Sequence, residues 1–170
     1  ETSLARVRHR QEKTGKDGKV THMVNRDCVG RDCSVILEKI GLHVGPEIRC
    51  AIAEVPFEHT FVQTELMMPI LGIVRVKDIN QAIDFAVKAE HGNRHTAHMH
   101  SKNIDNLSRF ATAIETTIFV KNAPSYAGIG FGGEGHTTFT IAGPTGEGIT
   151  SARSYTRLRR CVMADHFRII

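Results

Sequence analysis

The amino-acid sequence predicts an α/β fold, in which helices flank a parallel-type sheet. Over residues 69–121, three strand-like segments alternate with two amphipathic helices in the order βαβαβ. Strands that alternate with helices pair in parallel through right-handed crossovers. The chain has 170 residues, 41% of them apolar and 24% charged, which is enough for one sizeable core.

The elements before this alternation are a short helix and a strand. Residues 32–40 carry apolar side chains at helical spacing, and Gly41 follows where a left-handed C-terminal residue is common. Residues 48–55 are typical of a strand. The apolar run at 69–76 indicates a strand that is buried on both faces.

The following segments alternate between the apolar spacing of a helix and that of a strand. Apolar residues recur at helical spacing after Asp78 until Gly92, which predicts an amphipathic helix. A short strand is predicted at 96–100, a second amphipathic helix at 104–114 and a strand at 117–121.

The two ends differ from the α/β portion, which we assign to residues 22–150. Residues 1–21 are polar and are predicted to be a mobile segment. Residues 151–170 form a C-terminal segment whose last ten residues favour an extended strand. A strand that ends a chain is suited to pairing with another subunit, so we expect an oligomerisation strand there.

Composition argues against several classes of function. The net charge is only +4, there are 2 Tyr and no Trp, and basic residues do not alternate with aromatic ones, so nucleic-acid binding is not expected. No run of about 18 apolar residues is present, so no membrane span is expected. The four cysteines form no CxxC pair, which favours reduced thiols in a soluble intracellular protein.

A glycine-rich segment follows the last predicted strand. It covers residues 122–135, and a second stretch covers 142–148. Ligands of open α/β sheets bind beyond the carboxyl ends of the strands, where this segment emerges. Its glycine spacing does not match the dinucleotide-binding fingerprint. A flexible surface loop and a loop that contacts a ligand both remain open.

Two further features are candidates for metal binding or for a functional carboxylate. Four histidines lie within ten residues, but no cysteine or carboxylate pair accompanies them, so we expect solvated or packed histidines and no metal. Glu65 interrupts an apolar stretch before the most buried predicted strand, where a carboxylate must be paired, hydrogen-bonded or raised in pKa. A local backbone cap is the alternative, and the residues alone do not decide between them.

Several blocks together resemble a known family. They are Thr-Glu-Leu-Met-Met-Pro-Ile at 64–70, Thr-Ile-Phe-Val-Lys-Asn-Ala-Pro-Ser-Tyr-Ala-Gly-Ile-Gly at 117–130, Gly-Gly-Glu-Gly at 132–135, the stretch 137–148, Thr-Ser-Ala-Arg at 150–153 and Arg-Arg-Cys at 159–161. These blocks resemble the C-terminal portion of CoA-acylating aldehyde dehydrogenases of the propionaldehyde, butyraldehyde and acetaldehyde type. The likeness runs from about Asn25 to the end of the chain, and long ungapped blocks are more specific than a short motif.

The resemblance implies a reaction in which a short-chain aldehyde, CoA and NAD give acyl-CoA and NADH. It also implies that the chain is part of the family's catalytic domain together with its oligomerisation strand. The family's nucleophilic cysteine lies N-terminal to this region, and none of the four cysteines sits in a matching motif, so no catalytic residue is assigned and the chain alone is expected to be inactive. The implied partners are the missing N-terminal part of the enzyme and further copies of it. Many such enzymes work in bacterial microcompartments, so a cytoplasmic location, the compartment lumen and contact with its shell are implied.

The same resemblance assigns binding residues. Glu65 matches the residue that binds the nicotinamide ribose hydroxyls, and Met67 lies beside the nicotinamide ring, where the wider superfamily usually has Phe. The segment that walls the aldehyde tunnel contributes four residues, namely Ser125, Tyr126, Ile129 and Phe131. A tunnel lined by isoleucine and phenylalanine favours a short aliphatic aldehyde.

Other classes of function remain as alternatives. The first is a non-catalytic binding or assembly module that docks on a partner through its terminal strand and glycine-rich loop. The second is an unrelated nucleotide-binding domain. The hypothesis that the chain is part of an enzyme predicts that Glu65 and the segment after Asn122 meet at the carboxyl edge of a parallel sheet. There they form one wall of a cleft.

Overall fold

A computed structural model describes residues 12–14, 20–22, 24–132, 137–138, 141–142, 148–162 and 164. The chain divides into two compact units, Glu1–Phe85 and Ala86–Ile170. Within the described ranges, no helix is both long enough and apolar enough to cross a membrane.

The first unit contains short strands and helices. Its elements are β1 (Glu12–Thr14), β2 (Val20–His22), α1 (Cys33–Glu38), β3 (Ala51–Glu54), α2 (Thr60–Gln63) and β4 (Ile70–Ile73). Strands β1 and β2 pair antiparallel, whereas β3 and β4 pair in parallel with Ala51 opposite Ile70. Helix α3 (Ile79–Ala89) begins in the first unit and ends in the second.

The core of the first unit lies on one face of the β3–β4 sheet. Cys28, Ile36, Phe61 and Ile70 are buried and form one cluster, against which partly buried apolar side chains pack. Helix α2 supplies Phe61, whose backbone lies so close to Gly72 of β4 that a Cβ there would meet the Phe61 carbonyl oxygen at 3.0 Å. Glycine at this position therefore lets α2 pack directly on the strand.

The opposite face of this sheet is exposed. Ile52, Leu71 and Ile73 are 66%, 53% and 42% exposed, and Ile52 lies opposite Leu71 in the ladder. The prediction that the strand at 69–76 is buried on both faces is therefore wrong for the described part of the chain. The core cluster packs on the face that carries Ala51 and Ile70, and the described part of the first unit places no second layer on the other face.

The second unit repeats the parallel pairing. Its elements are β5 (Thr96–Met99), α4 (Ile104–Ile114), β6 (Ile118–Lys121), a 3₁₀ helix (Ser125–Ile129), β7 (Ile141–Ala142), β8 (Gly148–Ile149) and a second 3₁₀ helix (Ala152–Tyr155). Strands β5 and β6 pair in parallel with Thr96 opposite Ile118, and β7 and β8 pair antiparallel.

Helix α4 explains how β5 connects to a parallel neighbour. The Asn103 side chain accepts a hydrogen bond from the Asn106 N–H at 3.0 Å and caps the helix. Leu107, Phe110 and Ile114 form its buried face. Glu115 ends the helix in the left-handed conformation and pairs with Arg94 at 2.8 Å, next to the start of β5.

The predicted α/β class and its order of strands and helices are confirmed. Among the described residues, the predicted parallel pairing is seen as β3 with β4 and β5 with β6. The predicted mobile segment at 1–21 and the terminal strand at 161–170 fall largely outside the described residues and stay predictions. Residues 156–162 form neither helix nor strand.

Candidate functional site

The first part of the candidate site is the short connection between α2 and β4. Helix α2 is capped by His59, whose Nδ1 accepts a hydrogen bond from the Phe61 N–H at 3.1 Å. Gln63 closes the same turn by donating its side-chain N–H to the Phe57 carbonyl oxygen at 2.6 Å. The first bond fixes the start of α2, and the second ties its last residue to the chain before it, so together they fix the point from which Glu65 and Met67 follow.

Met67 projects outward because its backbone is left-handed. Its φ is +54°, and the residue is 65% exposed. The residues on either side, Leu66 and Met68, pack against the buried cluster. The Met67 carbonyl oxygen accepts a hydrogen bond from the Gly30 N–H at 3.0 Å, which holds the turn. A non-glycine residue with positive φ costs of the order of 1 kcal/mol or more, so packing on both sides stabilises the outward position of the side chain.

Glu65 is exposed to solvent, two residues before Met67. Its side chain makes no hydrogen bond or ion pair with another residue in the described part of the chain, so it does not cap the neighbouring backbone. The expectation that this carboxylate must be paired or hydrogen-bonded assumed burial, and that assumption is wrong. An exposed carboxylate with free acceptor oxygens is instead available to hydroxyl donors of a ligand.

The second part of the candidate site begins at Asn122, directly after β6. Asn122 is left-handed, with φ +55°, and its N–H donates to the Met99 carbonyl oxygen at 3.0 Å. Its side-chain oxygen accepts from the Ser101 N–H at 2.7 Å, while its side-chain N–H donates to the Ser101 carbonyl oxygen at 2.9 Å. The Asn122 amide thus pairs with Ser101 as another strand residue would, and it fixes the direction in which the glycine-rich loop leaves the sheet.

The loop then turns back on β6 as the 3₁₀ helix Ser125–Ile129. A Cβ on Gly128 would lie 2.9 Å from the Val120 Cγ2 and closer still to the Ile118 Cγ2. Both of these side chains are buried, so only glycine lets the helix approach β6 this closely.

Three of the four predicted tunnel residues lie in this 3₁₀ helix, and Phe131 follows it by two residues. Tyr126 and Phe131 are 53% and 67% exposed, and their rings meet edge to face with centroids 5.6 Å apart. Ile129 is half-buried, and its carbonyl oxygen accepts from the Thr138 N–H at 3.1 Å. Ser125 is exposed, and its Oγ lies 3.0 Å from the Nδ1 of His98 on β5. The turn therefore presents a mixed surface of two aromatic rings, an aliphatic side chain and a serine hydroxyl.

The two parts belong to different units, because Glu65 and Met67 lie in the first and the tunnel residues in the second. Each part is formed locally, by α2 with β4 and by β5 with β6. The meeting of both parts in one cleft stays a prediction.

The histidines of the second unit have individual contacts. The Nδ1 of His95 lies 2.6 Å from the Thr96 Oγ1, and the rings of His98 and His100 meet edge to face at 5.7 Å. Among the described residues, no three His, Cys, Asp or Glu side chains are grouped as a metal ion requires.

The cysteines divide into a buried and an exposed pair. Cys28 is fully buried and Cys33 is 2% exposed, and burial raises the pKa of both thiols above the ordinary value. A raised pKa lowers the fraction of nucleophilic thiolate at neutral pH. Cys50 and Cys161 are exposed, and all four are free thiols.

Two residues of this site were missed as site residues by sequence reasoning. His98 was grouped with the other histidines, although its partner is the serine of the loop. Asn122 was treated only as the first residue of the glycine-rich segment. Asparagine directly after a strand was the available signal, since it tolerates the left-handed conformation and bonds to nearby backbone.

Comparison with known proteins connects this geometry to one family. Residues 29–160 match the pattern of the aldehyde dehydrogenase family. Acetaldehyde dehydrogenase (acetylating) EutE of Escherichia coli K12 is 57% identical over 147 residues, which is 86% of this chain and 32% of that protein. Propanal dehydrogenase (CoA-propanoylating) of Salmonella typhimurium LT2 is 50% identical over 146 residues, or 85% of this chain and 32% of that protein. Acetaldehyde dehydrogenase (acetylating) of Bilophila wadsworthia is 44% identical over 170 residues, which is 99% of this chain and 35% of that protein.

Solved structures give the same picture. Rhodopseudomonas palustris propionaldehyde dehydrogenase with bound propionyl-CoA is 58% identical, with a TM-score of 0.75, and the match covers 81% of this chain and 30% of that one. Another structure of that enzyme has bound CoA and an acylated cysteine. A propionaldehyde dehydrogenase from the Clostridium phytofermentans fucose utilisation bacterial microcompartment is 56% identical, with a TM-score of 0.76, over 88% of this chain and 33% of that one. The chain spans about a third of the length of the curated relatives it matches.

Proposed function

This chain belongs to the aldehyde dehydrogenase family, and we propose that it works as the C-terminal part of a CoA-acylating aldehyde dehydrogenase. The enzyme converts a short-chain aldehyde, CoA and NAD to acyl-CoA and NADH. The observation that carries the proposal is the identity of 57% over 147 residues with an acetylating acetaldehyde dehydrogenase. Propanal dehydrogenases at 50% identity extend the same chemistry to a three-carbon aldehyde.

The reaction needs a thiolate that attacks the aldehyde carbon and later releases the acyl group to CoA. The cysteines of this chain do not suit that role. Cys28 and Cys33 are buried with raised pKa values, and neither of the exposed Cys50 and Cys161 lies in a motif that matches the family's nucleophilic cysteine. We infer that the nucleophile comes from sequence outside these 170 residues.

The residues of the α2–β4 connection fit the nicotinamide end of the cofactor, which supplies a hydride acceptor when it is bound. The exposed Glu65 carboxylate offers acceptor oxygens to the two ribose hydroxyls. Met67 presents a polarisable thioether outward, which suits contact with an aromatic ring. In this proposal Glu65 orients the ribose and Met67 supports the ring.

The 3₁₀ helix and the residues after it fit the wall of the aldehyde tunnel. Ile129 and Phe131 supply apolar surface, and Tyr126 holds the Phe131 ring by the edge-to-face contact. Because an apolar wall discriminates by size rather than by hydrogen bonding, we expect a preference for short, unsubstituted aliphatic aldehydes.

This chain also has an exposed apolar surface that the rest of such an enzyme would cover. The exposed face of β3–β4 carries Ile52, Leu71 and Ile73, and contiguous apolar surface of this kind is a common site of contact. We propose that the N-terminal part of the enzyme packs there. We further propose a homo-oligomer that resides in the cytoplasm or in the lumen of a bacterial microcompartment, in contact with its shell, as the source of one structural relative suggests.

The experiment uses a chimera in which this chain replaces the segment it matches in the Bilophila wadsworthia enzyme, because that match covers 99% of the chain. Purified chimera is mixed with propanal, CoA and NAD, and NADH and propanoyl-CoA are measured. Equal formation of both products, dependent on all three substrates, is expected. The unaltered Bilophila enzyme is the positive control.

A folded chimera that binds NAD but forms no acyl-CoA would refute the proposed function. It would favour the alternative of a non-catalytic assembly module that docks on a partner through its terminal strand and its glycine-rich loop, where the rings of Tyr126 and Phe131 are exposed. The 170-residue chain alone is expected to give no turnover, and turnover by the chain alone would show that one of its own cysteines is the nucleophile.

A further inference from the structure

We propose that His98 is a positioning residue that sets the aldehyde preference of the tunnel by holding the Ser125 hydroxyl, an inference that rests on the proposed function. The Ser125 Oγ lies 3.0 Å from the His98 Nδ1, which is hydrogen-bonding distance. The two residues are 27 positions apart, so this bond ties the loop to the sheet rather than closing a local turn.

The imidazole of His98 is itself held in place. His98 lies on β5 opposite Val120 of β6, in the middle of the parallel ladder. Its ring also meets the ring of His100 edge to face at 5.7 Å. A ladder position and a ring neighbour restrict the side chain, so the Nδ1 faces the start of the 3₁₀ helix.

The position of Ser125 is also restricted, by the residues that surround it in the loop. It follows Pro124, which has φ −68° and limits the backbone at the entry to the 3₁₀ helix. Gly128, one turn later, packs against Ile118 and Val120 and keeps the helix on β6. The hydroxyl therefore meets His98 because both backbones are fixed by contacts other than this hydrogen bond.

The bond has a consequence for substrate choice. A serine hydroxyl rotates freely unless a partner fixes it, and here the partner is His98. While it is bound to His98, the hydroxyl is directed toward β5, and the tunnel wall offers an incoming aldehyde chiefly the surface of Ile129 and Phe131. An aldehyde that carries a hydroxyl group must give up water around that group, and the Ser125 position that is bound to His98 offers it no hydrogen bond in return. Freeing the Ser125 hydroxyl would provide that bond.

The test compares propanal with 2-hydroxypropanal in the chimera defined above. His98→Ala is expected to raise the ratio of kcat/KM for 2-hydroxypropanal to that for propanal about three- to tenfold, the effect of one neutral hydrogen bond. The change should come from a lower KM for the hydroxyaldehyde. His98→Phe keeps an aromatic ring beside His100 but has no ring nitrogen, and it is expected to raise the ratio in the same direction.

The Ser125→Ala background separates this role from a general structural one. If His98 acts through Ser125, adding His98→Ala to Ser125→Ala leaves the ratio where Ser125→Ala alone sets it. Lys102→Ala, at an exposed position just beyond β5, is the matched control and is expected to leave the ratio unchanged.

Two results would overturn the inference while the proposed function stands. One is an equal change of kcat/KM for both aldehydes in His98→Ala and His98→Phe. The other is a rise in the ratio that persists at full size in the Ser125→Ala background. Failure of the unsubstituted chimera to oxidise propanal would instead refute the proposed function itself.

Discussion

Gly128→Ala tests whether the position of the tunnel turn depends on close packing against β6. A Cβ at residue 128 would lie 2.9 Å from the Val120 Cγ2, about 0.5 Å inside the 3.4 Å at which ordinary contact begins, and closer still to Ile118. Ile118 and Val120 are 4% and 7% exposed, so neither side chain has open space to enter. The 3₁₀ helix must therefore move off the strand, and overpacking of this kind costs about 1–3 kcal/mol.

The cost should appear as local opening, which hydrogen-exchange mass spectrometry measures in the chimera. Since every 1.4 kcal/mol corresponds to tenfold, amide exchange in peptides that cover β6 and the 3₁₀ helix is expected to accelerate by roughly fivefold to a hundredfold. The KM for propanal should rise in the same variant, because the tunnel residues move with the turn.

Matched variants make the steric explanation testable. Gly45→Ala is the control, because the three atoms nearest to a Cβ there all belong to the carboxylate of the exposed Glu47, which can swing into solvent. Ile118→Ala removes the Cγ2 that a Cβ at residue 128 would strike. Combined with Gly128→Ala it should destabilise by less than the sum of the two single variants. Unchanged exchange and KM in Gly128→Ala, or purely additive costs in the double variant, would refute the reasoning.

Three further expectations address the other parts of the site. Glu65→Gln keeps the shape of the side chain but removes its charge, so KM for NAD should rise and kcat fall with an unchanged melting temperature; unaltered NAD kinetics would contradict a role at the ribose. Ile129→Trp in the chimera should raise KM for longer aldehydes before it affects acetaldehyde, whereas an equal loss for all chain lengths would remove Ile129 from the tunnel wall. A thiol reagent at neutral pH should modify exposed Cys50 rapidly, and buried Cys28 only as fast as the protein opens, because burial raises the pKa of Cys28; equal rates would be inconsistent with this environment.

Periodicity predicted the longer regular elements, but not helix α2 (Thr60–Gln63) or the two 3₁₀ helices. The helix at 104–114 was predicted from the spacing of its apolar residues, and α4 occupies Ile104–Ile114. The strand at 69–76 was predicted from a continuous apolar run, and β4 occupies the shorter Ile70–Ile73. A continuous apolar run does not say which face is covered within the same chain. The exposure of Leu71 and Ile73 therefore could not be read from it.

The side-chain contacts of the candidate site were less accessible to sequence reasoning. Met67 and Ser125 were assigned through resemblance, but the left-handed backbone that exposes Met67 depends on how its neighbours pack in the core. The bond from Ser125 to His98 joins residues from separate elements and needs the parallel register of β5 with β6. A one-dimensional pattern carries no information on such long-range pairs.

The pairing of Asn122 with Ser101 identifies a residue that must be kept when the loop after β6 is redesigned. Aspartate at residue 122 would replace a donor with an acceptor facing the Ser101 carbonyl oxygen, and glycine would keep the backbone angle but lose both side-chain bonds. Under the proposed tunnel assignment, libraries intended to admit bulkier aldehydes should therefore vary Tyr126, Ile129 and Phe131 and leave Asn122 untouched. Asn122 fixes where the loop leaves the sheet, and the side chains that can be exchanged lie after it in the chain.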